Sequence, residues 1–362
     1  MAAAPVLAFP SLIPLHNGWE ESLGRDEREK GQCRRWSDTG VKKSTAEETA
    51  SQGERGVPPV NHPSLVIAFP GREAYDKGMD DSFCRHFAAS REAMEQACDY
   101  MQKDLAALCY KGAQAEERWK SVCLAAHCYA AYRAVSPRLD QPHAFAGYSQ
   151  GEFTACAAAG VFSFPEVLGL IFQLETILLE GKRSDEGMVR VIGLERSRLR
   201  SCCRQADPQG KEVFISAIYS ADQTMLSGRY PQLAEAARLA KRQGAQWVLP
   251  IETERAFHSP LCAGAGDTAQ PLFESFPTRD AGTVYSCYDG QPSYKGSMIR
   301  HKLSMQVDHP LQWGALVRQL QRNGVRRLLE IGPGCTVSGN TRVAAPSLEC
   351  RWINTAKDVE TI

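Results

Sequence analysis

The 362-residue chain holds 13 cysteines but no C-x-x-C pair and no regular cysteine spacing. Neither a zinc framework nor a disulfide scaffold is therefore indicated, and the thiols are expected as small buried residues in a reducing compartment. Long hydrophobic runs are missing too. The longest lie near Phe153–Phe162, well short of the ~18 residues that a membrane helix requires. Charge of either sign is not in excess, with 42 Lys and Arg against 42 Asp and Glu, so net charge gives no nucleic-acid signal. There is no G-x-x-x-x-G-K-[ST] nucleotide motif, no internal repeat, and nothing that implies a bound metal or cofactor.

The first 60 residues lack what a core needs. Met1–Leu15 is apolar but carries Pro5, Pro10 and Pro14, and Glu20–Gly56 is dense in charge, Ser, Gly and Thr. This composition predicts a disordered N-terminal extension over 1–60. The apolar start has no basic segment before it, and Glu20, Glu21, Asp26, Glu27 and Glu29 disfavour a transit peptide. The expected location is cytoplasmic, or a plastid or mitochondrion if this segment is a targeting signal.

From Ser64 onward strands and helices alternate, which predicts an α/β fold with a mainly parallel sheet. Leu65-Val66-Ile67-Ala68-Phe69 is an apolar run stopped by Pro70-Gly71, hence a buried strand. Apolar spacing predicts helices over Ser82–Met101, Glu116–Val135, Glu152–Ala159 and Phe164–Glu180. A β-α-β-β-α-β run follows. Its strands are Met188–Leu194, Val213–Tyr219, Thr224–Ser227 and Trp247–Ile251; its helices are Glu195–Ala206 and Tyr230–Gly244. That order is ferredoxin-like and reads as an inserted small subdomain over 185–252. The main domain, 61–184 and 253–357, resumes with Gly282–Tyr288, a helix over Gln312–Asn323 and a strand over Arg327–Ile331.

The most informative stretch is Gly147-Tyr148-Ser149-Gln150-Gly151-Glu152. This G-x-S-x-G follows an apolar strand (Ala144–Gly147) and precedes a small-residue helix. Glycines there permit the sharp turn that exposes a serine at a helix N-terminus, where backbone N–H groups can hold an oxyanion. A serine hydroxyl needs a base. Of eight histidines, His258 stands out in Ala256-Phe257-His258-Ser259-Pro260, where the chain should return from the inserted unit to the main sheet.

These motifs resemble those of the malonyl-CoA:acyl-carrier-protein transacylases and the acyltransferase domains of fatty-acid and polyketide synthases. The resemblance spans roughly 64–357. It rests on the elbow at Gly147–Glu152, the histidine motif, Phe69-Pro70-Gly71 with Gly78-Met79, Gly187-Met188 to Gly193-Leu194, Gln306 with His309–Trp313, and Glu330-Ile331-Gly332-Pro333-Gly334. It implies an α/β-hydrolase-like core with an inserted ferredoxin-like subdomain. It also implies a ping-pong S-malonyltransferase mechanism: Ser149, activated by His258, takes an acyl group from acyl-CoA and gives it to the phosphopantetheine thiol of an acyl carrier protein. By the same resemblance the Gln306 backbone carbonyl orients the histidine, and the N–H groups of Gln150 and Arg72 form the oxyanion hole. Leu174 and Phe257 are expected at the acyl pocket.

Two departures bear on the substrate. The first-strand loop reads Phe69-Pro70-Gly71-Arg72-Glu73 where the family has F-P-G-Q-G. Malonyl-specific members carry an arginine about twenty-five residues after the serine, and here that position is Leu174. Either Arg72 replaces it from across the pocket or the acyl group is uncharged, such as acetyl. Two other readings follow: an acyl hydrolase clearing stalled carriers, and a degenerate scaffold, which the intact Ser149, His258 and Gln306 argue against. The arginines at 196, 198, 200 and 204, with Arg238, Lys241 and Arg242, form either a docking face for an acidic carrier protein or a solvated helix surface. A monomer is expected.

Overall fold

The computed structural model describes residues 63–362 except 77–78, 112–114, 140–142, 252 and 254. The extension over 1–60 and Gly78 of the first-strand motif therefore lie outside the described residues.

Strand β1 (Leu65–Phe69) is buried along its whole length, as a central parallel strand covered on both faces must be. Its side chains alternate: Leu65, Ile67 and Phe69 enter one apolar cluster, Val66 and Ala68 another. The helix expected over Ser82–Met101 is two, α1 (Ser82–His86) and α2 (Ala88–Met101). The break is Phe87, whose φ of −119° and ψ of 123° are extended. A short helix α3 (Leu105–Tyr110) starts where the Asp104 carboxylate accepts the Ala107 N–H. Next come α4 (Glu117–Val135), β2 (His143–Gly147), α5 (Gly151–Ala159) and α6 (Phe164–Glu180). A Ser163–Glu166 capping box starts α6; the two side chains satisfy backbone donors reciprocally.

Then follow β3 (Glu186–Ile192), α7 (Arg196–Ala206), β4 (Val213–Ile218), β5 (Gln223–Arg229), α8 (Gln232–Arg242) and β6 (Trp247–Ile251). These four strands form a separate antiparallel sheet in the order β4-β5-β3-β6. The chain continues through α9 (Ala263–Ser275), β7 (Val284–Tyr285), β8 (Pro292–Ser293), α10 (Gly296–Met305) and α11 (Trp313–Arg322), and closes with β9 (Arg327–Ile331), α12 (Thr336–Ala344) and β10 (Glu349–Ile353). In Gly282–Tyr288, where the main domain is expected to resume, Val284–Tyr285 form the two-residue strand β7.

The larger sheet runs β10-β9-β1-β2-β7-β8. All its pairings are parallel except β7 with β8. Helices α2, α4, α5 and α6 pack on one face; Trp313, Leu316, Val317 and Leu320 of α11 pack on the other. Ala217 and Met225 of the smaller sheet join that second cluster. Backbone bonds tie the sheets together: Ile218 N–H donates to the Leu311 carbonyl (2.8 Å) and Leu311 N–H to that of Ser216 (2.9 Å). Strands β1 and β2 end side by side at Phe69 and Gly147, and ligands of open parallel sheets bind outside such carboxyl ends. Among the described residues no helix is long and apolar enough to cross a membrane.

Candidate active site

The turn from β2 into α5 puts Ser149 at φ +52°, a left-handed conformation that a non-glycine residue adopts at a cost of about 1–3 kcal/mol. Its flanking glycines make this possible. A Cβ on Gly147 would overlap the backbone of Gly151 and Glu152, and one on Gly151 would strike the carbonyl oxygens of Phe69 and Pro70. The elbow is fastened to β1 by the Tyr148 N–H donating to the Phe69 carbonyl (3.0 Å). Beneath it the buried Glu152 carboxylate accepts the Cys287 N–H (2.8 Å), and the Cys287 thiol donates to the Gly147 carbonyl (2.9 Å). Burial pushes the Glu152 carboxyl up to about 7, with the Cys287 N–H pulling the other way.

Ser149 Oγ lies 2.8 Å from His258 Nε2, and His258 Nδ1 lies 2.6 Å from the Gln306 backbone oxygen. A carbonyl can only accept, so the proton sits on Nδ1 and Nε2 is left as the base facing the serine. His258 too has a positive φ, +56°. The loop holding it is pinned from the smaller sheet. The Ala256 N–H donates to the buried Glu186 carboxylate at the start of β3 (3.0 Å), and Ser227 Oγ of β5 donates to the Phe257 carbonyl (2.8 Å). Ser259 Oγ closes the turn on the Ala256 carbonyl (2.6 Å). Desolvation draws the His258 pKa down to about 4, the Gln306 carbonyl opposing it. The imidazole is thus neutral at physiological pH. The Gln306 side-chain amide is buried with neither its oxygen nor its nitrogen hydrogen-bonded.

Arg72 stands just after β1, on the loop against the elbow; a Cβ on neighbouring Gly71 would lie 2.9 Å from the Tyr148 carbonyl oxygen. Its guanidinium donates to Glu117 of α4 (2.6 Å) and lies 3.6 Å from Glu175 of α6. Leu174 is buried in the helix-side apolar cluster, next to Glu175. Phe257 packs against the opposite cluster, its ring centroid 6.4 Å from that of His258.

The structure therefore brings together Ser149, His258 and Gln306, and sets Gln150 and Arg72 beside them. Reasoning from sequence did not single out Glu175, Glu186 or Ser227. Glu186 and Ser227 act on a loop 30 or more positions away in the chain, with no local pattern to announce it. Glu175 did carry a signal, a charged residue on the apolar side of α6.

No family model matches the chain. It is 27% identical over 297 residues to the malonyl CoA-acyl carrier protein transacylase of Haemophilus influenzae, covering 80% of this chain and 95% of that one. To the enzyme of the same name from Bacillus subtilis strain 168 it is 25% identical over 281 residues, 76% and 88% of the two chains. The polyketide biosynthesis protein ThaF of Burkholderia thailandensis is 27% identical over 286 residues, which are 24% of its length. Among solved structures, a type II polyketide-synthase malonyl-transacylase in complex with its acyl-carrier protein superposes with a TM-score of 0.77 at 25% identity, covering 82% of this chain and 98% of that one. The acyl carrier protein S-malonyltransferase of Vibrio cholerae gives the same TM-score and identity over 82% and 99% of the chains. In sequence, at 25–27% identity, and in fold, the chain with its Ser149–His258 pair is thus similar to malonyl-CoA:acyl-carrier-protein transacylases, which are acyltransferases.

Proposed function

We propose that the protein moves an acyl group from coenzyme A to an acyl carrier protein through an acyl-Ser149 intermediate. The observation that carries this reading is the 2.8 Å approach of Ser149 Oγ to an imidazole whose other nitrogen is fixed by the Gln306 carbonyl. Ser149 Oγ attacks the thioester carbonyl as His258 Nε2 takes its proton. Collapse expels the CoA thiolate, which receives that proton. A phosphopantetheine thiol then gives its proton to His258 and attacks the acyl-serine, and Ser149 Oγ leaves with the proton. The N–H groups of Gln150 and Arg72 are assigned to the oxyanion between these steps.

The residues over 61–184 and 253–357 are read as an α/β-hydrolase-like core and those over 185–252 as an inserted ferredoxin-like subdomain. The strand order β4-β5-β3-β6 and the β-α-β-β-α-β succession support this reading. The carrier partner is supported by the relative solved with its own acyl-carrier protein. Arg198, Arg200 and Arg204 of α7 and Arg242 of α8 are exposed on helices that pack together, and an acidic carrier would be steered to them. The acyl group assigned is uncharged, because Leu174 stands where malonyl-specific members carry an arginine. Fatty-acid and polyketide synthesis both use this step.

Intact-mass analysis after incubation with acetyl-CoA or malonyl-CoA tests the reading, with Ser149→Ala as control. An adduct on Ser149 that persists until holo-carrier protein is added supports transfer. One that decays as fast in water alone indicates the hydrolase, and no adduct with either donor refutes both.

A further inference from the structure

Between the nucleophile and α6 runs a chain of direct polar contacts that no part of the proposed reaction uses. The Gln150 amide nitrogen, one residue past Ser149, donates to the Ser121 carbonyl (3.2 Å). The Ser121 hydroxyl donates to Glu175 Oε1. Glu175 Oε2 lies 3.6 Å from Arg72 Nη1, and Arg72 Nη2 donates to Glu117. Glu117 is also paired with Lys120. Each cation here already has a carboxylate. Glu175 is only 6% exposed, whereas the side chain of Glu117 is 46% exposed.

Among the described residues, two buried oxygens of this relay meet no hydrogen-bond donor: Gln150 Oε1 and Glu175 Oε2. The Gln150 orientation is fixed, since its nitrogen faces a carbonyl. The polar atoms left without a partner behind Gln150 are thus acceptors, not donors. An acyl chain ending in a carboxylate, an acceptor only, finds there a guanidinium held by two carboxylates and a serine hydroxyl already given away.

Resting on the transacylase reading above, we propose that Glu175 is a specificity-determining residue. By occupying Arg72 and Ser121 it turns the acyl pocket against carboxylated acyl groups such as malonyl and leaves it to short uncharged ones. Arg72 then does not take over the role of the arginine absent at Leu174. Burial raises the Glu175 pKa on balance, and the Arg72 guanidinium and the Ser121 hydroxyl pull it back.

The test is the initial rate of Ser149 acylation, read by rapid-quench intact mass, with malonyl-CoA and acetyl-CoA in separate and competing reactions. The native protein should favour acetyl by at least about tenfold. Glu175→Gln keeps the shape, removes the charge and leaves Arg72 with the exposed Glu117 alone, so the malonyl-to-acetyl ratio should rise at least about tenfold. Adding Arg72→Ala to Glu175→Gln should cancel that rise. A native protein that loads malonyl as fast as acetyl overturns the proposal while leaving the transacylase reading intact, and needs no variant to fold. A Glu175→Gln protein that is folded with an unchanged ratio also overturns it. If neither donor acylates Ser149, both fall together.

Discussion

Ser149 and His258, 109 positions apart, meet at 2.8 Å, and both hold left-handed backbone, at φ +52° and +56°. Two strained non-glycine residues facing one another mark a site where the surrounding fold pays for geometry. Ser149→Ala should abolish the acyl adduct outright. His258→Ala should slow acylation about 10²–10⁴-fold, the usual contribution of a positioned base, with acyl-CoA affinity little changed. Single-turnover acylation measures both. A His258→Ala protein acylating within twofold of the native rate would remove His258 from the reaction.

The acidity of His258 sets a pH window. An imidazole at its ordinary pKa, about 6.5, would lose its basic form as pH falls through that value. Desolvation has moved the His258 value down to about 4, so the basic form persists down to that pH. Acylation should stay nearly flat from pH 7.5 to pH 5 and fall only as pH approaches 4. Stopped-flow release of CoA across this range checks it; a midpoint near 6.5 would show that the free enzyme does not hold His258 neutral.

Gly147 and Gly151 are required by backbone contacts. Alanine at either would drive a Cβ into main-chain atoms of the elbow or of β1, which cannot swing aside as a side chain could. Gly151→Ala should cost roughly 3 kcal/mol of stability, at the upper end for overpacking, and lower acylation further by displacing Ser149. Chemical denaturation gives the first number and adduct formation the second.

Much of this was legible in the sequence, for identifiable reasons. β1, β6, β9 and α6 begin and end where the apolar pattern says, because Pro-Gly, glycine or a capping serine punctuates them. Helix α9 was not legible: it contains Pro271 and two glycines, which argue against a helix locally, and tertiary packing of Ala265, Ala269 and Phe273 overrides them. The break at Phe87 was hidden because apolar spacing continues across it. Ser149, His258 and Gln306 were recognisable by motif. The ion pair of Arg72 with Glu175, 103 positions apart, follows only from the fold, which lays α6 alongside the loop after β1.

The arginine face of α7 offers a test of carrier docking. Arg198 donates to Gln243 at the C-terminal end of α8 (3.0 Å) and has no side-chain ion pair with a carboxylate among the described residues, and Arg200 is exposed. Exposed charges on a protein-docking surface act through long-range steering, which salt screens over about 10 Å at 0.1 M. Arg198→Glu with Arg200→Glu should raise the KM for holo-carrier protein several-fold at low salt and much less at high salt. Ser149 acylation from acyl-CoA should be untouched. An unchanged carrier KM at low salt would make this a plain solvated face.

With Ser227, Glu186 is one of two residues by which the smaller sheet holds the His258 loop. Its buried carboxylate accepts the Ala256 N–H and lies 3.8 and 3.9 Å from Arg183 and Arg229. It is therefore a positioning residue, acting on His258 through the two residues between. Glu186→Ala would leave a buried N–H unsatisfied, costing about 1–3 kcal/mol, and free the histidine loop on one side. A loosened loop lowers the fraction of protein in which Nε2 faces Ser149, so the maximal acylation rate should fall about tenfold while the KM for acyl-CoA holds. Ser227→Ala, which removes only the second tether on Phe257, should give a smaller loss of the same kind. Equal losses in the two parameters would point instead to general unfolding of the site, and an unchanged rate in a folded Glu186→Ala protein would mean that Ser227, Ser259 and the Gln306 carbonyl suffice to hold the base.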